Sequence, residues 1–203
     1  MNRRALLASL ASLALVRVAR ADPTDDGLAR VARARGSLRS LSGPFTQERT
    51  IGLLSTVVRS TGTMDLALPD RLRWELAPPD DVVYWITPEA IAYRTKTGHG
   101  RVPAVRARLA SSLDDLRTLL GGDLAHLRKR YDLRMTDDLV FDGAPRDPSA
   151  PITRLRFGLA SDACTPRFAE LFEGQRDKTR IDFGALRRDA PIDPALFRVP
   201  DAD

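Results

Sequence analysis

Between Pro69 and the Pro78-Pro79 pair the residues alternate, with Leu72, Trp74 and Leu76 on one side of an extended chain and Arg71, Arg73 and Glu75 on the other. A period of two, fenced by prolines, marks a half-buried strand with one dry face and one wet face. Such a strand folds only within a sheet whose dry face is covered. Here the dry face carries an indole between two leucines. What lies over it is either packed side chains or an apolar space kept for a guest.

The flanking sequence supplies the rest of a sheet. Asp25 or Asp26 is placed to cap a first helix, predicted to run to about Leu41 with Leu28, Val31, Leu38 and Leu41 apolar and arginines between, and to end at Gly43-Pro44. Phe45 to Arg49 starts a strand; Thr56 to Ser60 and Gly62 to Leu68 continue the pattern, with Met64, Leu66 and Leu68 on one face. Val82 to Thr87 and Ala90 to Thr95 read as a hairpin around Pro88-Glu89, and Thr97 to Gly100 as a loop. At Val105 the period changes. Leu109, Leu113, Leu116 and Leu120 recur at three- and four-residue steps, which is helical, until Gly121-Gly122. A second short helix follows with Leu124, Leu127 and Tyr131 on one side. Strands return at Asp138 to Asp142, Thr153 to Leu159, Phe168 to Phe172 and Thr179 to Phe183, and Ile192 to Pro200 reads as extended. Helix, strands, a helical pair, then strands predicts an α+β chain dominated by a single antiparallel sheet. A sheet this long curls, and its concave face needs a cover. The two central helices supply one.

The N-terminus reads as an export signal. Arg3 and Arg4 precede an apolar run from Ala5 to Val16, and Ala19-Arg20-Ala21 is a small-x-small cleavage site. Asn2-Arg3-Arg4 partly matches a twin-arginine signal, but its surroundings fit the general route better. Residues 1–21 are thus assigned as signal peptide and 22–203 as one domain. The chain holds 32 Lys plus Arg against 27 Asp plus Glu, and removing four signal arginines leaves 28 bases against those 27 acids. A near-neutral chain excludes nucleic acid as a partner held by charge. The one basic block, Arg128-Lys129-Arg130, is expected on a solvated helix face, and Arg49, Arg59 and Arg71 on the wet side of their strands, where a lipid headgroup or a partner is within reach. The single cysteine, Cys164, leaves no internal disulfide and no lipid anchor at the cleavage site. The expectation is a soluble, monomeric protein outside the cytoplasm. His99 and His126 stand far apart, and no nucleophile elbow or paired-carboxylate pattern accompanies them. The residues therefore point to no enzyme, no cofactor and no metal.

Taken in order, the exported start, the first helix, Phe45-Thr46-Gln47, the spacing to Pro69, the strand Leu72-Arg73-Trp74 before Pro78, and the ending Ile192-Asp193-Pro194-Ala195-Leu196-Phe197 resemble the LolA-type periplasmic lipoprotein carriers. The likeness is best over residues 28 to 95. It implies an unclosed β-barrel with helices as a lid over an apolar cavity. It also implies acylated lipoprotein as cargo, received from an inner-membrane export complex and handed to an outer-membrane acceptor without covalent chemistry. Carried onto this chain, the acyl-chain cavity would involve Met64, Leu66, Leu68, Leu72, Trp74 and Trp85, and the lid Leu109, Leu113, Leu116 and Leu120. One departure stands out. Carriers of this type place an arginine just before the proline, where it bonds the lid shut, and this chain has Leu68 there. A paralogue with another lipidic cargo is therefore a second reading.

The physics suits a carrier. Each methylene taken out of water gains about 0.8 kcal/mol, so a chain of roughly 15 methylenes left exposed would cost on the order of 12 kcal/mol. Flexible Met64 and the leucines suit an adaptable wall, and the indoles offer flat surfaces. The same residues also suit a solid core. A non-carrier scaffold or lipid-sensing module of the same fold would keep that face filled.

Overall fold

The computed structural model describes residues 22–102, 107–174 and 176–199. The proposed signal at 1–21 lies outside them.

Helix α1 spans Pro23–Arg35. Its cap is Asp22 rather than Asp25 or Asp26, and the Asp22 carboxylate accepts from the Thr24 N–H at 2.9 Å. Pro23 explains the shift: it has no N–H to leave orphaned and its φ is already helical, so it takes the first helical position. The helix gives way at Gly36, well before Gly43. Leu38 and Leu41 leave it, and Leu41 faces the core from strand β1, Ser40–Ile51. Pairing with β2 (Thr56–Ala67) along twelve residues outweighs the helical spacing. Gly43-Pro44 sits inside β1 where its other neighbour changes from β11 to β12, so the proline falls at a gap in the ladder.

The chain continues through β3 (Arg71–Leu76), β4 (Val82–Ile86), β5 (Ile91–Arg94) and β6 (His99–Arg101). Helices α2 (Ala107–Gly121) and α3 (Leu124–Arg130) follow, then β7 (Tyr131–Asp137), β8 (Val140–Pro145), β9 (Ile152–Leu159), β10 (Pro166–Glu173), β11 (Asp177–Phe183) and β12 (Arg187–Arg188). A 3-10 turn at Pro194–Phe197, capped by Asp193, interrupts the tail expected to be extended. Among the described residues the strands form one antiparallel sheet in the order β6-β5-β4-β3-β2-β1-β11-β10-β9-β8-β7, with β12 beside β1. The chain thus begins mid-sheet and steps outward to β6. Helices α2 and α3 then carry it to the far edge, and it steps back until β11 lies beside β1. The edges β6 and β7 do not pair, so the barrel stays open.

Three strands escaped the sequence pattern, among them the two-residue β12, Arg187–Arg188. His99-Gly100-Arg101 is too short and polar to alternate, and Tyr131 belongs both to the helical step from Leu127 and to the alternation Tyr131-Leu133 of β7.

Leu41, Phe45, Met64, Leu66, Leu72, Trp74 and Ile86 share the inner face with Leu155, Phe157, Leu171 and Ile181. Leu28 and Val31 of α1 and Leu113, Leu116, Leu119 and Leu120 of α2 join the same cluster. Phe45 stacks on Trp74 at 3.6 Å between centroids. The outer face carries ion pairs, with Arg73 at 2.8 Å from Glu75 and Glu170 held by Arg156, Lys178 and Arg180. No described helix is long and apolar enough to cross a membrane.

Candidate acyl-chain site beneath α2

A space of about 360 Å³ lies between α2 and the inner face of the sheet. Its size is near the lower end of the roughly 300–1,000 Å³ range of small-ligand pockets. Its buried lining is apolar: Trp74 from β3, Leu113 and Leu116 from α2, and Leu171 from β10. Its more exposed lining is polar: Gln47 and Arg49 from β1, Ser112 from α2, Glu173 from β10, and Asp177 and Thr179 from β11. The result is an oily floor with a polar mouth. Ser112 donates to Glu173 across that mouth at 2.7 Å, tying helix to sheet. Asp177 accepts from the Gly52 N–H at 2.9 Å, tying the mouth to the β1–β2 turn.

Of the six residues expected to form the cavity, Trp74 lines this space. Met64, Leu66 and Leu72 point inward but are buried in the core cluster with the residues of α1 and α2 and do not line this space. Leu68 is half-buried at the edge of the same cluster, near Gly121. Trp85 has to be reassigned. It pairs with Arg73, whereas Ile86 pairs with Leu72, so Trp85 faces outward. There it packs with Val83 and Ala92, and its Nε1 donates to the Leu196 carbonyl at 2.8 Å, under the C-terminal 3-10 turn. In β4 both faces are covered, so Val82 to Ile86 carry no polar contrast to reveal which side is inside.

Leu113, Leu116 and Leu120, the described residues of the expected lid, are buried in the core cluster together with Leu119. Leu109 belongs to α2, but its side chain lies outside the described residues. Gln47, Arg49, Leu171, Glu173, Asp177 and Thr179 went unassigned in the sequence. Register alone brings them together, because β1 meets β11 across most of the chain. Arg49 pairs with Val58 and Thr179 and faces inward at the mouth, not outward.

An arginine does hold the end of α2, though not from position 68. Arg35, the last residue of α1, is buried and donates from Nη1 to the carbonyls of Leu119 (2.8 Å) and Leu120 (3.0 Å), and from Nε to that of Cys164 (3.0 Å). The last carbonyls of a helix lack intrahelical donors and carry the negative end of its dipole, so a cation there is well placed. Burial lowers the Arg35 pKa to about 10, which leaves it charged at neutral pH.

A second buried contact lies mid-helix. Asp115 accepts from the Tyr131 hydroxyl at 2.6 Å, and Arg130 Nη1 lies 2.7 Å from its other oxygen as an ion pair without hydrogen-bond alignment. Arg130 is thus drawn from its basic block onto α2. Burial is the main cause that pushes the Asp115 carboxyl up to about 6. Burial, reinforced by the Asp115 charge, holds the Tyr131 hydroxyl well above the ordinary phenol range.

A larger space, about 770 Å³, is a different feature. Thr46, Thr61, Thr63 and Asp182 on its wall belong to the outer face by register, Phe45, Leu76 and Phe183 meet it from the inner side, and α2 contributes none of its lining. Among the described residues no group of His, Cys, Asp and Glu is arranged to hold a metal ion.

Comparison with known proteins adds to this geometry. The family described as outer membrane lipoprotein carrier protein LolA matches residues 36–200. An outer-membrane lipoprotein carrier protein of Alkalilimnicola ehrlichii is 28% identical over 180 residues, covering 83% of this chain and 77% of its own length. Among solved structures, an uncharacterized conserved protein from Thermus thermophilus overlays with a TM-score of 0.51 at 10% identity, covering 87% of this chain and 93% of its own. A LolA superfamily protein from Nitrosomonas europaea overlays at 0.46 and 9% identity, covering 86% of this chain and 97% of its own. At such identities the structures speak for the fold alone.

Proposed function

The chain belongs to the LolA family of outer membrane lipoprotein carrier proteins, and from that membership we propose that it is a monomeric periplasmic carrier whose acyl-chain site is the space beneath α2. Residues 1–21 serve as its export signal, leaving 22–203 as the carrier domain. It takes acylated lipoprotein from an inner-membrane export complex and delivers it to an outer-membrane acceptor. No bond is made or broken in the cargo.

The observation that carries this reading is the amphipathic space itself. Trp74, Leu113, Leu116 and Leu171 offer an apolar floor, and Gln47, Arg49, Glu173 and Asp177 leave a polar mouth for the part of the cargo that stays in water. The space is small for several tails, so loading lifts α2 from the sheet. Met64, Leu66 and Leu72 then become wall where they are now core. The gain of about 0.8 kcal/mol per sheltered methylene offsets the packing lost beneath α2.

Native mass spectrometry of the chain purified from its own host tests the proposal, with a bound acylated species expected. Trp74→Asp and Leu113→Asp should each abolish uptake of a fluorescent fatty-acid probe. Absence of any acylated species, together with unchanged uptake in both variants, would refute the site.

The tight packing of Met64, Leu66 and Leu72 favours a second reading, a lipid-sensing or scaffold module of the same fold whose inner face stays filled. That protein would take up no probe in any form.

A further inference from the structure

The β1–β2 hairpin ends in a turn, Gly52 to Ser55, that does not look like an ordinary one. Turns favour Gly, Asn, Asp and Ser because they must be soluble and must bend. This turn presents Leu53 and Leu54, 89% and 66% exposed, with Val57 and Val58 also exposed behind them. On its β2 side the hairpin extends past β3, because β2 runs to Thr56 while its pairing with β3 stops at Gly62; on its β1 side β11 flanks it as far as Thr50. None of these four side chains belongs to the core.

We propose that this turn is a docking tip for an anionic phospholipid bilayer. Three observations select that occupant. The most exposed apolar surface is two leucines of one turn, which cannot supply the roughly 800 Å² per partner of a stable protein interface but need no shape complement to enter the acyl boundary of a bilayer. Next, cations surround it. Arg49 and Arg176 make no ion pair among the described residues, whereas Lys178, opposite Thr50, is engaged by Glu170 at 3.4 Å. Arg176 packs on the turn itself, where a Cβ at Gly52 would collide with the Arg176 Cβ. Of the acids close by, Glu48 pairs with Arg59 at 2.7 Å, while Asp177 and Glu173 accept from the Gly52 N–H and the Ser112 hydroxyl and pair with no cation among the described residues. Finally, Arg49 also lines the mouth of the space beneath α2. A bilayer that receives the leucines therefore lies against the opening through which tails would pass. The purpose of docking rests on the carrier reading; the docking itself does not.

The test is co-flotation of the exported chain with phosphatidylcholine vesicles made with and without phosphatidylglycerol. Binding to the phosphatidylglycerol vesicles is expected, weakening as salt is added. Leu53→Ser/Leu54→Ser should lower that binding about a hundredfold, the scale set by burying two leucines. Arg49→Gln/Arg176→Gln should lower it about tenfold or more at low salt. In Leu53→Trp, emission beyond that of the parent should shift to the blue on adding these vesicles. Fatty-acid probe uptake in Leu53→Ser/Leu54→Ser should match the parent, which separates loss of docking from loss of cargo binding. Failure of the parent chain to float, or equal flotation of the serine variant, overturns the proposal.

Discussion

The two ends of α2 are attached to the rest of the molecule in different ways. At the C-terminal end Leu119 and Leu120 give their carbonyls to a buried guanidinium. Gly121 lies so close to the Pro69 carbonyl that a Cβ there would sit 2.7 Å from it, and Gly122, at φ +80°, presses on the Arg35 side chain. Toward the N-terminal end Leu113 and Leu116 roof a hollow, and Ser112 makes a hydrogen bond to a half-buried glutamate. Asp115 stands between, on Tyr131 and Arg130. Charge-assisted bonds in a dry site are strong and costly to leave unmade, whereas a bond at a wet mouth exchanges readily with water. Under the proposed loading, a helix held this way would pivot about its Gly121-Gly122 end, and the roofed half would travel furthest.

The comparison breaks most directly at Arg35. Arg35→Met removes the guanidinium and strands buried carbonyls, and should cost about 3 kcal/mol or more in denaturant unfolding. A loss below about 1 kcal/mol would show that the C-terminal end is not anchored there. Asp115 sharpens the picture through pH. Its folded pKa, about 6, lies above the ordinary 3.8, so the folded state holds its proton more tightly than the unfolded chain. Its contribution is therefore greatest below pH 3.8 and falls as pH rises through about 6. The span is about 3 kcal/mol at most. Subtracting an Asp115→Asn stability curve from the parent's should reveal that decline, and a flat difference would contradict it. At the mouth, Ser112→Ala should cost about 1 kcal/mol or less and speed probe uptake. Uptake no faster than the parent's would place the gate elsewhere. Leu53→Ser should change the melting temperature least of all, because its side chain touches no core. A clear drop would mean that the tip contributes to the fold.

What the sequence discloses follows from how local each signal is. Trp74 and α2 were legible because alternation and leucine spacing are written within a few residues, and Gly121-Gly122 stopped the helix where expected. Trp85 was misplaced because both of its neighbours are buried or half-buried, which removes the contrast that orients a strand. Arg49 looked solvent-facing by its charge, yet the inner face of a barrel becomes wet at its mouth, and charge alone cannot distinguish the two. Arg35 sat among the arginines of an amphipathic helix, and nothing nearby marks it for burial. Its partners lie far along the chain, at Leu119, Leu120 and Cys164, and only the finished fold brings their carbonyls to it. Leu41 shows the reverse: its spacing suited a helix, and a long-range ladder with β2 took it.

The seam between β6 and β7 carries a mechanical consequence. The segment that crosses from one lip to the other is the one that contains α2. The roof is therefore also the strap that spans the gap. Under the proposed loading, a guest that spread the lips would draw the strap taut, and widening of the vessel and lifting of its cover would be one covalently coupled displacement.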